Sequence, residues 1–309
     1  MAKIKLVVIC SPTATGKTGL AVELALAMGG EIVGADSLQV YRYLDIGTAK
    51  PTRTQREAVR HHLIDVVDPD EEFNAALYAD QAGSVIEGLA GAGKSIFVVG
   101  GTGLYIRALL HGILATPPVD HNVRNFYKEI RDRHGRGYLF RLLKEKDPLA
   151  AAQINPNDWV RVIRALEVFE QSGQSIVTLQ RGHAFAGSHY DVCKIGLHVE
   201  RAELKRRITA RTEQMAQDGL VDEVREILRR GYTENLKPLQ SMGYKQVVGF
   251  LAGRYDWRQT LELISRATWQ YAKRQMTWFS ADRSIKWFGP DQFEEIKKTV
   301  EAFHLAPGR

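Results

Sequence analysis

SPTATGKT, Ser11 to Thr18, follows directly on the apolar run Leu6 to Cys10 and precedes a segment with helical spacing. Strand, tight loop and helix start, in that order, are the context a phosphate-binding loop requires. In such a loop backbone N–H groups and the helix N-terminus face phosphate oxygens, Lys17 reaches the distal phosphates, and the Thr18 hydroxyl can ligate Mg²⁺. Beyond Thr18, residues Ala21, Leu24, Ala25 and Met28 keep the spacing of one buried helix face, and Gly29-Gly30 stops the helix.

A second stretch matches the phosphate-loop pattern more literally. Gly88, Gly93, Lys94 and Ser95 satisfy G-x-x-x-x-G-K-[ST], whereas Ser11 stands where that pattern has its first glycine. Context reverses the preference, because Lys94-Ser95 follows a helical pattern (Tyr78 to Leu89) and precedes a strand (Ile96 to Val99). Its amides would face the wrong end of the sheet, so Gly91 to Lys94 reads as a helix-to-strand turn.

Near-continuous apolar runs at Leu6 to Cys10, Glu31 to Ala35, Leu63 to Val67, Ile96 to Val99, Val192 to Val199 and Ser284 to Phe288 alternate with helical patterns. Such runs read as strands of a parallel sheet covered on both faces. Between Pro117-Pro118 and about His189 the strand signal vanishes. Helical spacing replaces it, with Val162, Ala165, Leu166 and Phe169 on one face, and loops at Thr116 to Pro118 and Gly182 to Ser188 bound the segment. The expectation is a core of residues 1–116 and 190–309 with a helical insertion of residues 117–189. Helical patterns resume over Ala202 to Arg230 and Thr260 to Phe279.

At 309 residues the chain has room for an ample core. It has no apolar stretch approaching the roughly 18 residues of a membrane helix, and Leu6 to Cys10 is too short for a signal-peptide core, so it reads as cytoplasmic. Cys10 and Cys193 lie in separate strand-like runs without metal-ligand spacing. The net charge is +6. Its arginines and lysines concentrate from Arg124 to Arg164 and from Arg201 to Arg274, as on a surface that faces an acidic macromolecule.

Asp36 follows the second strand in GADSLQVYR, at the end of the sheet where ligands bind. It reads either as a turn aspartate or as a metal-associated carboxylate or general base. VGGTGLY, Val99 to Tyr105, ends another strand, with glycines that would let backbone approach a ligand and Thr102 adding a hydroxyl. A nucleotide hydrolase would carry a magnesium-organising aspartate there. Asp65 is the one acidic alternative nearby. Arg161 and Arg164 are three apart on a helix, Arg207 and Arg211 one turn apart, and Arg266, Gln270, Lys273 and Arg274 share a face, a pattern suited to phosphate-backbone contact.

Together these segments resemble the bacterial tRNA dimethylallyltransferases. The matching pieces are PTATGKT from Pro12, ADSLQVYR from Ala35, DIGTAKP from Asp45, HHLIDVVDP from His61, VGGTGLY from Val99, RVIRALEV from Arg161, SMGYKQ from Ser241 and YAKRQMTWF from Tyr271. The resemblance implies an α/β fold like that of the P-loop nucleoside-phosphate kinases, a parallel sheet with helices on both faces plus a helical insertion domain that grips a tRNA anticodon stem-loop. The implied reaction moves the dimethylallyl group of dimethylallyl diphosphate to N6 of the adenosine just 3′ of the anticodon, in tRNAs reading codons that begin with U, with Mg²⁺ at Thr18 assisting. A monomer is expected.

By position, the resemblance puts the diphosphate on Ser11, Pro12, Thr13, Ala14, Thr15, Gly16, Lys17 and Thr18, with Arg207 and Arg211 alongside. It makes Asp36 the general base, and Thr102 and Lys17 its catalytic companions. The implied tRNA contacts are Asp36, Ser37, Leu38, Gln39, Thr102, Arg124, Val160, Arg161, Val162, Ile163, Arg164, Tyr244, Lys245, Lys273 and Arg274. The chain departs from the family pattern at Ser11 (usually Gly), at Thr15 (usually Ser), and at Ser280-Ala281, where a basic residue is usual. A small-molecule kinase and a transferase acting on free adenine nucleotide are the competing readings.

Overall fold

The structure, a computed structural model, describes residues 3–113, 116–183 and 190–307. One sheet contains β1 (Ile4–Cys10), β2 (Gly30–Gly34), β3 (His61–His62), β4 (Ser95–Gly100), β5 (Tyr190–Leu197) and β6 (Ile285–Phe288). The strand order is β3-β2-β4-β1-β5-β6, and every pairing is parallel. The helices, in chain order, are α1 (Lys17–Ala27), α2 (Arg53–Ala58), α3 (Ala75–Gly91), α4 (Gly103–His111), α5 (His121–Lys146), α6 (Pro148–Ala151), α7 (Trp159–Ser172), α8 (Ile176–His183), α9 (Arg201–Gln217), α10 (Leu220–Arg229), α11 (Tyr244–Leu251), α12 (Trp257–Ser280) and α13 (Phe293–Leu305).

The chain divides into two compact units, Met1–His111 with Ser188–Arg309, and Gly112–Gly187. In the larger unit the period-two alternation of the strands sorts side chains onto two faces. Val7, Ile9, Ile32, Phe97 and Ile195 are buried on one face against α1 and α13, through Leu24, Ile296 and Val300. Helices α3 and α4 pack on the other. Each such aliphatic side chain removed from water contributes about 1.5–3 kcal/mol, which holds the layers together. Strand β1 lies between β4 and β5, where the winding of the chain reverses, and the loop leaving it opens into the crevice at the strands' carboxyl ends.

The expected strand Leu63 to Val67 does not form. Strand β3 is only His61–His62, and Leu63 and Asp65 take φ of 61° and 56°, a left-handed backbone that breaks strand alternation. The segment instead pairs with the loop after β2, Val66 N–H donating to the Val40 carbonyl (2.8 Å) and Arg42 N–H to that of Val67 (2.9 Å). Lys94 and Ser95 stand at the entry to β4, where the Lys94 amide closes α3 on the Leu89 carbonyl (3.1 Å). The literal motif match is thus a helix-to-strand turn.

The smaller unit is helical. Gly182 falls in α8, and residues 184–188 of the expected bounding loop lie outside the described residues. Tyr127, Leu139 and Leu143 of α5 pack against Val162, Ile163 and Leu166 of α7. Glu167 of α7 is fully buried, and its carboxylate accepts from Arg124 Nη2 (2.7 Å) and the Asp120 amide (2.8 Å) while Arg164 Nη1 lies 3.0 Å away. Arg164 Nη2 also donates to the Thr116 hydroxyl (2.6 Å) and the Pro117 carbonyl (2.8 Å).

Two of the expected tRNA contacts are therefore corrected: Val162 and Ile163 are core side chains, 1% and 3% exposed, and present nothing to a ligand. Arg124 and Arg164 are held by Glu167, whereas Arg161 is 71% exposed and, among the described residues, pairs only with Asp158, the N-cap of its helix. Arg164→Ala should lower the stability of this unit by about 2–4 kcal/mol, because it strips a partner from a buried carboxylate. Arg161→Ala should stay within about 0.5 kcal/mol of the parent. Denaturant titration of the two variants checks the contrast, and equal midpoints would contradict it.

Candidate active site

The turn from β1 into α1 is built so that the helix start is left uncapped by any side chain. Gly16 is the N-cap of α1 at φ 98°, it supplies no capping side chain, and the first turn carries no acidic residue. The amides at that helix N-terminus are left for an anion. Ala14 shares the left-handed backbone at φ 64°, which folds the loop over on itself.

Inside the loop, Thr15 Oγ1 donates to the Pro12 carbonyl (2.9 Å) and takes the Ser11 hydroxyl (2.9 Å). The side chains of Ser11, Pro12 and Thr15 are buried behind the loop and do not line the cavity. Proline has no N–H to donate in any case. The hydroxyl that replaces the family's glycine at Ser11 braces the loop from within.

The loop opens into a cavity of about 770 Å³ whose walls carry Lys17, Arg207, Arg211, Arg274 and a single carboxylate, Asp36. Lys17, Arg211 and Arg274 form no ion pair among the described residues, so this charge is free for a ligand. Arg207 Nε donates to Glu203 (2.7 Å), and Arg211 Nη1 donates to the Thr13 hydroxyl (3.0 Å). Lys17 Nζ rests on the Pro12 carbonyl at 2.6 Å. Burial and, after it, the Arg211 guanidinium push the Lys17 ammonium down to about 8, opposed by Asp36.

A diphosphate drawn onto Lys17 favours its charged form and raises that pKa, so binding takes up a proton wherever the empty site has lost one. Affinity should be flat with pH below about 8 and should weaken above it, by roughly fivefold to tenfold at about pH 9. Calorimetry of inorganic diphosphate or allylic diphosphate binding in two buffers of different ionisation heat checks this. A pH-independent affinity, with no proton uptake at about pH 9, would contradict it.

Asp36 sits just past β2. Its Oδ1 accepts from the amides of Leu38 (2.9 Å) and Gln39 (3.4 Å), and its Oδ2 has no protein partner among the described residues. One oxygen makes the turn, and the other is left available. Ser37, Leu38 and Gln39 line the same cavity, and Gln39 Nε2 donates to the carbonyls of Thr48 (3.1 Å) and Ala49 (3.2 Å).

Thr102 is not among the cavity-lining residues. Its Oγ1 accepts the Ser37 amide (3.0 Å) and donates to the Ser37 hydroxyl (3.4 Å). Gly100 and Gly101 beside it line the cavity, and their missing Cβ atoms serve packing as well. A Cβ on Gly100 would lie 2.0 Å from the Ala35 carbonyl oxygen, and one on Gly101 would lie 2.2 Å from Gln275 Nε2.

Sequence reasoning missed Gln275 and Tyr271. Gln275 is buried on α12, its Oε1 takes the Thr13 amide (2.9 Å) and its Nε2 donates to the Gly101 carbonyl (2.8 Å). It therefore pins the phosphate loop to the loop after β4, and it uses the one loop amide, that of Thr13, which cannot then face phosphate. Tyr271 lines the cavity, and burial raises its phenol's pKa, with the Asp36 charge adding to the effect. The AKRQ run was the available signal, but spacing alone does not say which face of a long helix turns inward.

Three further expected tRNA contacts fall elsewhere. Tyr244 is fully buried and donates to Glu223 (2.7 Å), so it is corrected to a structural position. Lys245 is exposed and lies outside the cavity. Lys273 lines a separate cavity with Trp269 and Met276, on a different face of α12 from Arg274.

The chain is similar to known proteins along nearly its whole length. A family model described as IPP transferase matches residues 39–282. The tRNA dimethylallyltransferase 2 of Syntrophus aciditrophicus (strain SB) is 51% identical over 301 residues, 97% of each chain. The tRNA dimethylallyltransferase of Geobacter metallireducens is 47% identical over 306 residues, 98% of each chain. Among solved structures, the full-length tRNA isopentenylpyrophosphate transferase from Bacillus halodurans superposes with a TM-score of 0.72 at 37% identity, over 97% of each chain. A phosphate loop with free helix amides, a basic wall and a lone carboxylate in one cavity thus coincide with likeness along nearly the whole sequence, and the chain belongs to the IPP transferase family, that of the tRNA dimethylallyltransferases.

Proposed function

We propose that this protein transfers the dimethylallyl group of dimethylallyl diphosphate to N6 of the adenosine just 3′ of the anticodon in tRNAs reading codons that begin with U, releasing diphosphate. The observation that carries this reading is one cavity holding both the uncapped start of α1 and the free Oδ2 of Asp36. The helix amides, Lys17 and Arg211 receive the negative charge that develops as the allylic C–O bond breaks, and the bonding electrons leave with the diphosphate. The N6 lone pair attacks the allylic carbon, and Asp36 takes the N6 proton. Thr102 acts by holding Ser37 in place. Ile32, Ile64 and Met242 give the dimethylallyl group apolar surface.

A divalent cation, Mg²⁺ in this reading, is compatible with the donor set in one way only. Among the described residues no cluster of three His, Cys, Asp or Glu side chains could hold a metal, so most ligands would come from diphosphate oxygens and water. The Thr18 hydroxyl, on the cavity wall and in no described hydrogen bond, is the protein ligand at hand. When bound, the ion would neutralise charge on the leaving diphosphate.

The base must leave its stack to enter a cavity of this kind, the protein acts as a cytoplasmic monomer, and basic side chains on the smaller unit contact the anticodon stem-loop. No described helix is long and apolar enough to cross a membrane. Arg161→Ala should weaken tRNA binding and lower the salt slope of affinity by about one unit, since each phosphate contact releases counterions. An unchanged slope would remove Arg161 from the interface. The reading as a whole is tested by incubating the protein with labelled dimethylallyl diphosphate and either tRNA or AMP. Label in tRNA at the adenosine beside the anticodon is expected, and label in AMP alone would overturn it.

A further inference from the structure

The part of the cavity wall made by Gly47 to Ala49 with Ser241 and Met242 is assembled around a single carboxylate that sequence reasoning did not single out. Glu223 lies in the first turn of α10, and four donors converge on it. Its Oε2 accepts the amides of Asp45 (2.8 Å) and Ile46 (2.7 Å), and its Oε1 accepts the amide of Gly47 (3.1 Å) and the hydroxyl of Tyr244 (2.7 Å). No cation pairs with it among the described residues. Charge-assisted bonds of this kind are roughly twice as strong as neutral ones, and three consecutive backbone amides on one carboxylate leave that turn a single conformation.

The packing is equally restrictive. A Cβ on Gly47 would lie 2.6 Å from the Tyr244 ring, so the loop rests directly on the buried phenol. From there the clasp reaches the cavity along two routes. Gly47, Thr48 and Ala49 line it, and the Thr48 and Ala49 carbonyls hold Gln39, which follows Asp36 by one turn of chain. Ser241 and Met242, immediately before Tyr244, line it as well. Neither route passes through Lys17, Arg211 or Gln275.

We infer that Glu223 and Tyr244 are positioning residues that set the acceptor-base half of the cavity, so that they govern recognition and alignment of the tRNA adenosine and leave the diphosphate half untouched. The inference rests on the proposed function for the identity of the acceptor. Glu223→Gln keeps the size of the side chain but replaces one acceptor oxygen with a donor, which faces other donors. Tyr244→Phe removes only the hydroxyl and keeps the three amide bonds.

The test measures three quantities on parent, Glu223→Gln and Tyr244→Phe: KM for tRNA, single-turnover rate at saturating tRNA, and Kd for inorganic diphosphate. In Glu223→Gln the efficiency with tRNA should fall by about tenfold to 100-fold, as expected for a displaced substrate-positioning wall, with the diphosphate Kd within about twofold of the parent. Tyr244→Phe should change in the same direction by a few-fold, about threefold to fivefold, for one lost hydrogen bond. Parent-like tRNA kinetics in both variants would overturn the inference, as would equal losses of diphosphate and tRNA affinity, the signature of a clasp that merely stabilises the fold. Should Glu223→Gln fail to fold, the Tyr244→Phe split decides alone. A parent that binds diphosphate but never modifies tRNA overturns the functional reading first, and the acceptor assignment with it.

Discussion

Lys17→Ala is expected to slow dimethylallyl transfer by about 100-fold to 1,000-fold at saturating tRNA and allylic diphosphate, the usual loss when one preorganised donor to a developing charge is removed. The observation behind this is an ammonium that has no carboxylate partner, rests on the Pro12 carbonyl and is pushed down to about 8. A charge held at that cost in an empty site is returned when diphosphate arrives, and most fully when the C–O bond has broken and the leaving group carries its greatest charge. The loss should therefore fall on kcat more than on ground-state affinity. Lys94→Ala is the control. That side chain lies 3.9 Å from Glu31, in the turn before β4, and its removal should change the rate by less than about twofold. A near-parental rate in Lys17→Ala would move the diphosphate away from Ser11 to Thr18.

Much of this architecture is legible from local order in the chain. A strand, a loop ending in Gly16-Lys17-Thr18 and a helix place β1 at the switch point, and alternating apolar runs and helical patterns supply the parallel sheet. Leu63 to Val67 misled because burial and strand character separate there: the run is apolar since it packs under the loop after β2, while left-handed residues at Leu63 and Asp65 keep it out of the ladder. Val162, Ile163 and Tyr244 misled for the complementary reason. A segment can match a contacting stretch while alternate side chains along it point into the core, and helical spacing assigns faces without saying which one is covered.

The contacts of Glu223 and Gln275 were not legible in any local pattern. Each satisfies backbone groups far away in the chain, Glu223 those of Asp45 to Gly47 and Gln275 those of Thr13 and Gly101, and only the folded arrangement brings acceptor and donor together. The glycines of VGGTG carry the same lesson. Their lack of a Cβ was visible, but its cause, the Ala35 carbonyl and the Gln275 amide within 2.2 Å of where a Cβ would stand, was not.

The central claim is that Asp36 takes the N6 proton, and it makes the second large prediction. Asp36→Asn keeps an oxygen to accept the Leu38 and Gln39 amides, so the turn survives. What it loses is the ability to accept a proton at the position of Oδ2. Loss of a positioned base costs about 100-fold to 10,000-fold in rate. Binding of tRNA and of allylic diphosphate involves no transfer of that proton and should remain within about threefold of the parent. The most direct measurement is the single-turnover rate of transfer from labelled dimethylallyl diphosphate to tRNA by Asp36→Asn, with both affinities determined on the same preparation. A rate lowered by about 100-fold or more with both affinities intact is the predicted result. A rate within a few-fold of the parent would contradict it and assign the proton to another acceptor, such as an oxygen of the departing diphosphate.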